Sequence, residues 1–389
     1  MNNTKVVIAV AFEHYVLSGG KRLRCGYTTG TCAALAAQGA ARALLTGRFP
    51  ASARLCTPKG LTVEAPLTDA CLEEHSASCS VLKDGGDDVD ATHGLPIRAT
   101  VRPIPGGGVT IEGGEGVGRV TKPGLDQPVG AAAINRVPRR MIRQAVEAVA
   151  EELGYDGGLA VTISVPGGQE AARRTFNPQL GVEGGISILG TSGIVEPMST
   201  QALVDTIALE LRQHAAQGER RVILTPGNYG LDFLRDHPLT PENIPIVKCS
   251  NFIGDALDCA RLEGFEAVLL VGHLGKLVKV AGGVMNTHSR YADCRTELIC
   301  AHAAACGATK ELAQDLLSAA TTDACLDLLD QENLRRPVLD RLLAAIDGHL
   351  ARRAGDGCQA GAVLFTNQYG LLGLTNTAKE ILDTWNSNT

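Results

Sequence analysis

Between residues 83 and 94 the chain reads KDGGDDVDATHG, with Asp84, Asp87, Asp88 and Asp90 inside seven residues and Thr92 and His93 directly after. Carboxylate oxygens at that density resemble the donor set of Mg²⁺ or Ca²⁺, but no glutamate closes the loop as an EF-hand requires. Crowded carboxylates can also raise one another's pKa and make one of them a base. A solvated acidic turn is the plain alternative. A second cluster, GYTTGTCAA over 26–34, sets Thr28, Thr29 and Thr31 ahead of an alanine-rich stretch. N–H groups at a helix N-terminus favour a carboxylate or phosphate, although an ordinary threonine cap needs no ligand. Three further segments carry cations or histidines: VPGGQEAARRTFNPQLG (165–181) with Arg173 and Arg174, GHLGK (272–276) with His273 and Lys276, and NTHSRYADCR (286–295) with His288 and Arg295. Paired arginines suit a ligand with several carboxylates, or are an exposed surface pair. A histidine in a loop suits proton transfer, or is a structural hydrogen-bonder.

Several chemistries are excluded by spacing. GHLGK lacks the GxxxxGK[ST] pattern of a phosphate loop. The one G-x-G-x-x-A match, at Gly355, Gly357 and Ala360, precedes a strand instead of following it, and no G-x-S-x-G is present. The twelve cysteines contain no CxxC pair and read as reduced thiols of a cytoplasmic protein.

The elements that must hold these residues fall into two halves. Residues 31–45 predict an alanine-dominated helix ended by Gly47. The segments 61–65, 97–103, 108–112 and 117–121 predict short antiparallel strands, Pro138 opens an amphipathic helix, and 160–165 adds a strand. Beyond residue 184, apolar strands at 185–189, 221–225, 244–248, 266–271 and 361–366 alternate with helices from about 199, near 230, at 254–262, at 275–281 and through 300–353. The expectation is α/β with α+β: an N-terminal α+β domain with antiparallel strands over 1–184, and a C-terminal Rossmann-like three-layer domain with a mostly parallel sheet over 185–389. Such sheets bind ligands at the carboxyl ends of their strands. There the sequence places LGTSGIVEP, TPGNYG, CSNFIGD, VGHLGK and TNQYG.

With 389 residues, a net charge of −6 and 4% aromatics, the chain has neither the basic face nor the stacking platforms of a nucleic-acid binder. The apolar run 6–12 is too short to span a membrane, and no other stretch reaches that length. Glycine supplies 45 residues, about 12% against a typical ~7%, which predicts many close backbone approaches.

GYTTGTCAA, DDVDATHG, TFNPQLGVEGGISILGTSGIVEPMS, PGNYG, SNFIGDAL and GHLGKLVKVAGGVMNTHSRYADCR occur in the order in which they stand in the CbiD family. On these blocks, which span about 24–297, together with the later TNQYGLLG, the chain resembles the cobalt-precorrin-5B C1-methyltransferases of anaerobic cobalamin biosynthesis. The acidic block departs from the family's usual DDPDVTHG at Val89 and Ala91 and keeps Asp87, Asp88, Asp90, Thr92 and His93.

The resemblance implies transfer of a methyl group from S-adenosylmethionine to carbon 1 of a cobalt-containing corrinoid, giving cobalt-precorrin-6A. Cobalt would arrive inside the substrate, and no protein metal site is expected. Asp90, His93 and His273 are the candidate catalytic groups. Gly190, Thr191, Ser192, Gly193, Gly227, Asn228, Tyr229 and Gly272 are the candidates for the methyl donor. A protein of net charge −6 needs a local basic patch to hold a carboxylate-rimmed macrocycle. Arg173, Arg174, Lys276, Lys279 and Arg295, with Thr28, Thr29, Thr31 and His288, are the candidates for that substrate. A noncatalytic corrinoid carrier or scaffold is the competing class. A homo-oligomer and transient contact with other enzymes of the pathway are left open, and neither nucleic acid nor membrane is expected as a partner.

Overall fold

A computed structural model describes residues 12–18, 20–175 and 177–387. The apolar run 6–12 therefore lies, up to residue 11, outside the described residues. The chain divides into two compact units, one ending at Ser199 and the other beginning at Thr200.

The first unit is built on a five-stranded sheet in the order Thr68–Leu72, Ala77–Leu82, Pro96–Ile104, Gly158–Ser164, Val109–Gly113. Its pairs are antiparallel except the last, in which Gly158–Ser164 runs parallel to Val109–Gly113, against the expectation of antiparallel pairing throughout. Side chains alternate along these strands: Ile97, Ala99 and Val101, like Leu159, Val161 and Ile163, are buried, while Arg98, Thr100, Ala160 and Thr162 between them are partly exposed. The inward set packs with the helices Thr29–Thr46 and Arg136–Glu152. Small residues cover nearly every face of the first helix, so it is buried almost throughout. Gly47, at φ 77°, ends it as expected. Beside this core stands a hairpin of Ser52–Cys56 with Thr62–Pro66.

The stretch 185–189 forms no strand of a parallel sheet. Ile186 and Ile188 make isolated bridges to Val117 and Ile134, and Ile194–Val195 pairs with Gly26–Tyr27. Residues 185–199 thus belong to the first unit. Their isoleucines fill its core, which is why the segment carries the apolar signature of a buried strand.

The second unit holds the sheet Ile246–Lys248, Arg221–Thr225, Ala267–His273, Gln359–Thr366, Gly370–Leu374. The first four strands are mutually parallel and the last is an antiparallel edge. Both faces are buried. Val222, Leu224, Val268, Leu270, Ala362 and Leu364 join one apolar cluster with the helices Thr200–Ala216, Ile253–Leu262, Arg295–Ala304, Lys310–Ser318, Thr322–Gln331 and Arg335–Ala354. Ile223, Leu269, Val271, Val363 and Phe365 join the other, with Asn228–Asp236 and Asn376–Ser387, where Trp385 is buried. The predicted helical stretch 300–353 is thus four helices. No helix among the described residues is long and apolar enough to cross a membrane. All twelve cysteines are free; burial raises the thiol pKa of Cys32, Cys79 and Cys249 to about 12 and that of Cys325 to about 11.

Part of the glycine excess serves chain crossings. Gly86, at φ 65°, lies so close to residues 24–26 that a Cβ there would stand 2.3 Å from the Arg24 carbonyl oxygen. Gly94 has a similar φ of 79° and open space around it. Gly94→Ala should therefore cost about 1 kcal/mol through backbone strain alone, and Gly86→Ala clearly more. Thermal unfolding should rank the wild type above Gly94→Ala and Gly94→Ala above Gly86→Ala.

Candidate functional site

In the first unit the acidic block is neutralised from within. Lys83, whose side chain is 2% exposed, places its ammonium 2.6 Å from Asp90 Oδ2, and the other Asp90 oxygen accepts the Thr92 N–H at 2.7 Å and the Thr92 hydroxyl at 2.6 Å. Burial pushes the Asp90 carboxyl up, but the Lys83 ammonium and the Lys83 and Thr92 hydrogen bonds hold it below its usual range. An ionised, fully bonded carboxylate is a weak base, which counts against Asp90 as the proton acceptor. Arg24 binds Asp84 through two hydrogen bonds, of 2.5 and 2.9 Å, and its own backbone N–H donates to Asp87 at 2.6 Å. Asp88 accepts from the Met198 N–H. Four carboxylates with protein donors leave no open ligand set, and no group of metal-ligating side chains stands among the described residues. Lys83 and Arg24 are the residues that the sequence reading missed.

The three threonines are taken up in the same way. Thr28 caps the helix Thr29–Thr46 by accepting from the Thr31 N–H, Thr31 donates to the Gly193 carbonyl at 2.7 Å, and the Thr29 hydroxyl accepts from the Leu189 N–H at 2.9 Å. The Gly30 N–H donates to the Leu189 carbonyl. This helix start is filled by the chain's own 187–193 loop: the Thr29 and Thr31 hydroxyls predicted for substrate hold that loop, and the Thr28 hydroxyl caps the helix. Gly190 and Gly193 let it approach: a Cβ at either would collide with Thr28 or Thr57. Ser192 bonds to the Ile194 backbone, and Thr191 is exposed. Arg173 pairs with Glu170, while Arg174 is exposed.

The three predicted histidines share one device. His93 Nδ1 accepts from the Gly85 N–H at 3.0 Å, His273 Nδ1 from Gly275 at 3.1 Å, and His288 Nδ1 from Arg290 at 3.1 Å. A ring nitrogen that accepts from a backbone N–H carries no proton, so each imidazole is the Nε2–H tautomer. Each therefore presents a hydrogen-bond donor. For His273, burial outweighs the field of Asp323 and lowers the pKa, so the ring is neutral at pH 7.

In the second unit the chain passes from Arg221–Thr225 to Ile246–Lys248 on one side and then to Ala267–His273 on the other. Strand order therefore reverses between Arg221–Thr225 and Ala267–His273, and such a reversal opens a crevice at the strands' carboxyl ends. Pro226 and Gly227 leave the first strand, Gly227 at φ 135° and ψ −169°, a conformation open almost only to glycine. The helix Asn228–Asp236 follows without a side-chain cap, and Asn228 and Tyr229 are exposed. From the other strand, His273 caps the short helix Leu274–Leu277, its ring centroid 6.1 Å from that of Tyr229. Lys276 reaches the Pro226 carbonyl at 2.5 Å. Thr225 is fully buried and its hydroxyl has no hydrogen-bond partner among the described residues. Gly227, Asn228, Tyr229, His273 and Lys276 are thus brought together. Gly272 is buried and makes room for Leu277.

Two other predicted cations are already engaged. Lys279 is 3% exposed and donates to the carbonyls of Thr287 and Ala292 at 3.1 and 2.8 Å. Arg295 forms a two-bond pair with Asp293, at the wall of a cavity of about 190 Å³ lined also by Thr296 and residues 319–322. His288 is exposed.

Removing either partner of the Lys83–Asp90 pair strands a buried charge, so Lys83→Met and Asp90→Asn should each cost about 3–5 kcal/mol, read from chemical denaturation. Because the native Asp90 pKa is lowered, its contribution is complete above the unfolded value near 4 and is lost as pH falls through the native one. The gap between wild type and Asp90→Asn should therefore narrow below about pH 4.

Family models cover two stretches of the chain, CbiD over residues 16–197 and the CbiD C-terminal domain over 286–383. A protein of Ruminiclostridium cellulolyticum named cobalt-precorrin-5B C(1)-methyltransferase is 46% identical over 91% of this chain and 92% of its own length. One of Alkaliphilus metalliredigens with the same name is 41% identical over 95% and 97%. A crystal structure of a cobalamin biosynthesis protein (cbiD) from Archaeoglobus fulgidus is 28% identical, covers 71% of this chain and 86% of that one, and superposes with a TM-score of 0.38.

Proposed function

The chain belongs to the CbiD family, and from that premise we propose that it is a cobalt-precorrin-5B C1-methyltransferase using S-adenosylmethionine. The observation that carries this reading is 46% identity, over nine-tenths of both chains, to a protein bearing that name. The cytoplasm is the compartment proposed, and the second unit is read as a Rossmann-like three-layer domain. Its two apolar clusters on opposite sheet faces support that reading.

The donor supplies an electrophilic methyl on a sulfonium; the macrocycle's electron pair forms the bond from carbon 1 to that methyl, the pair from the broken bond returns to sulfur, and the positive charge passes from sulfur to the conjugated macrocycle. The protein's part is to hold the two in line and to exclude water. The crevice between Arg221–Thr225 and Ala267–His273 suits the donor. Its unmatched ammonium at Lys276, its uncapped helix start and the unpartnered Thr225 hydroxyl fit the anionic end of an amino acid, and Tyr229 presents an exposed ring to a planar group. Arg174, exposed in the first unit, is offered for a carboxylate of the macrocycle. His273 is proposed as a donor from Nε2–H, and His93, with its 57% exposed side chain, as a second such donor in its own unit.

Incubation with S-adenosylmethionine and cobalt-precorrin-5B should add one methyl to the corrinoid and release S-adenosylhomocysteine, both read by mass spectrometry. Tight corrinoid binding with neither product would establish a carrier instead. If His273 donates, kcat/KM should show no loss from its titration above about pH 7, because the lowered pKa keeps the ring mainly neutral there. His273→Gln, which keeps an N–H near Nε2, should then retain more activity than His273→Ala by roughly tenfold, the value of one hydrogen bond to a charged group. Equal loss in both variants would remove that role.

A further inference from the structure

Among the buried cations of the second unit, Lys276 is left without a negative partner. Its ammonium donates to one carbonyl, that of Pro226, and no carboxylate of the described residues lies within ion-pair reach. Lys279, three residues on, shows the usual solution, with two carbonyls in hydrogen-bond contact and Asp293 Oδ1 at 3.8 Å. Lys276 is half-buried, and an ammonium so placed loses hydration without regaining charge. Burial accordingly holds its pKa below the ordinary lysine value, and Lys279 pushes in the same direction.

The groups around it are also unmatched donors. The helix Asn228–Asp236 begins without a side-chain cap. Thr225, the last residue of its strand, is fully buried, and its hydroxyl has no hydrogen-bond partner among the described residues. His273 offers Nε2–H. A Cβ on Gly227 would stand 3.9 Å from the Lys276 ammonium, so the missing side chain keeps the approach to that charge clear. A single positive charge among neutral donors matches a single negative charge better than a phosphate dianion.

We propose that this crevice is a carboxylate-binding subsite, with Lys276 as the counter-charge and the start of Asn228–Asp236 and the Thr225 hydroxyl as hydrogen-bond donors. The choice of ligand rests on the methyltransferase reading, which offers two sources of a carboxylate: the amino-acid end of the methyl donor and the acetate and propionate arms of the corrinoid.

Isothermal titration of the full chain, as wild type, Lys276→Met and Lys276→Arg, separates the two. The probes form two pairs: S-adenosylhomocysteine against decarboxylated S-adenosylhomocysteine, and cobyrinic acid against its heptamethyl ester. For the ligand that fills the subsite, Lys276→Met should weaken binding ten- to a hundred-fold, and Lys276→Arg should restore most of it. Removing the carboxylate from that ligand should cost the wild type a similar factor and cost Lys276→Met almost nothing. Coupling on the first pair assigns the subsite to the donor, and coupling on the second assigns it to the corrinoid. Because Lys276 has no internal anion, Lys276→Met should unfold at or above the wild-type temperature. Equal binding by wild type and Lys276→Met, equal losses with and without the ligand carboxylate, or no wild-type binding of either carboxylate ligand at millimolar concentration would overturn the proposal. Methylation measured by mass spectrometry is independent: turnover without coupling defeats the subsite alone, and coupling without turnover defeats the enzymatic reading alone.

Discussion

A lysine ammonium taken out of water has to be met by negative charge or by carbonyl oxygen, and each unit is organised around that requirement. In the first unit Lys83 meets Asp90, and the pair fixes the turn that carries Thr92 and His93. Arg24 does the same for Asp84 and Asp87, tying residues 24–27 to the turn that follows Ala77–Leu82. In the second unit Lys279 gathers the carbonyls of Thr287 and Ala292 and so shapes the loop ahead of Arg295–Ala304. Lys276 meets one carbonyl and, among the described residues, no carboxylate, and so marks the place where an anion is wanting.

The same accounting explains which predicted residues moved from ligand to scaffold. A buried hydroxyl or carboxylate must have a partner, and the nearest available partners are backbone groups of the same unit. Thr29 and Thr31 face such groups in the 187–193 loop, and Thr28 faces the Thr31 N–H of the helix it caps. The start of Asn228–Asp236 has no side-chain cap among the described residues, and the two helix starts differ in that respect.

Much of this organisation was legible in the sequence. The helix at 29–46 announced itself by alanine content and by Gly47, and the strands at 221–225 and 267–273 by continuous apolar runs bounded by glycine loops. The loops at their carboxyl ends were correctly placed because parallel topology dictates where polar residues must collect. Other features lay beyond local pattern. Gly370–Leu374 is an edge strand whose burial depends on Gln359–Thr366, so its own alternation is weak. Ser52–Cys56 was missed because a five-residue strand mixing Ser, Arg and Cys looks like a loop until its hairpin partner is known. Residues 185–189 misled in the other direction, since an apolar run reports burial without reporting pairing. Among the site residues, type and loop position showed in the sequence. The tautomer of each histidine and the partner of each carboxylate did not, because both depend on backbone groups brought close by folding.

The cysteines have a bearing on the proposed chemistry that their packing alone would not suggest. A cobalt ion carried by a substrate can be bound by any accessible soft ligand of the protein that handles it, and a thiolate would be such a ligand. Burial among apolar neighbours keeps Cys32, Cys79, Cys249 and Cys325 protonated well above neutral pH. In that state sulfur is a poor electron-pair donor to a metal. These four sites can therefore hold polarisable sulfur in the interior without offering the metal a thiolate.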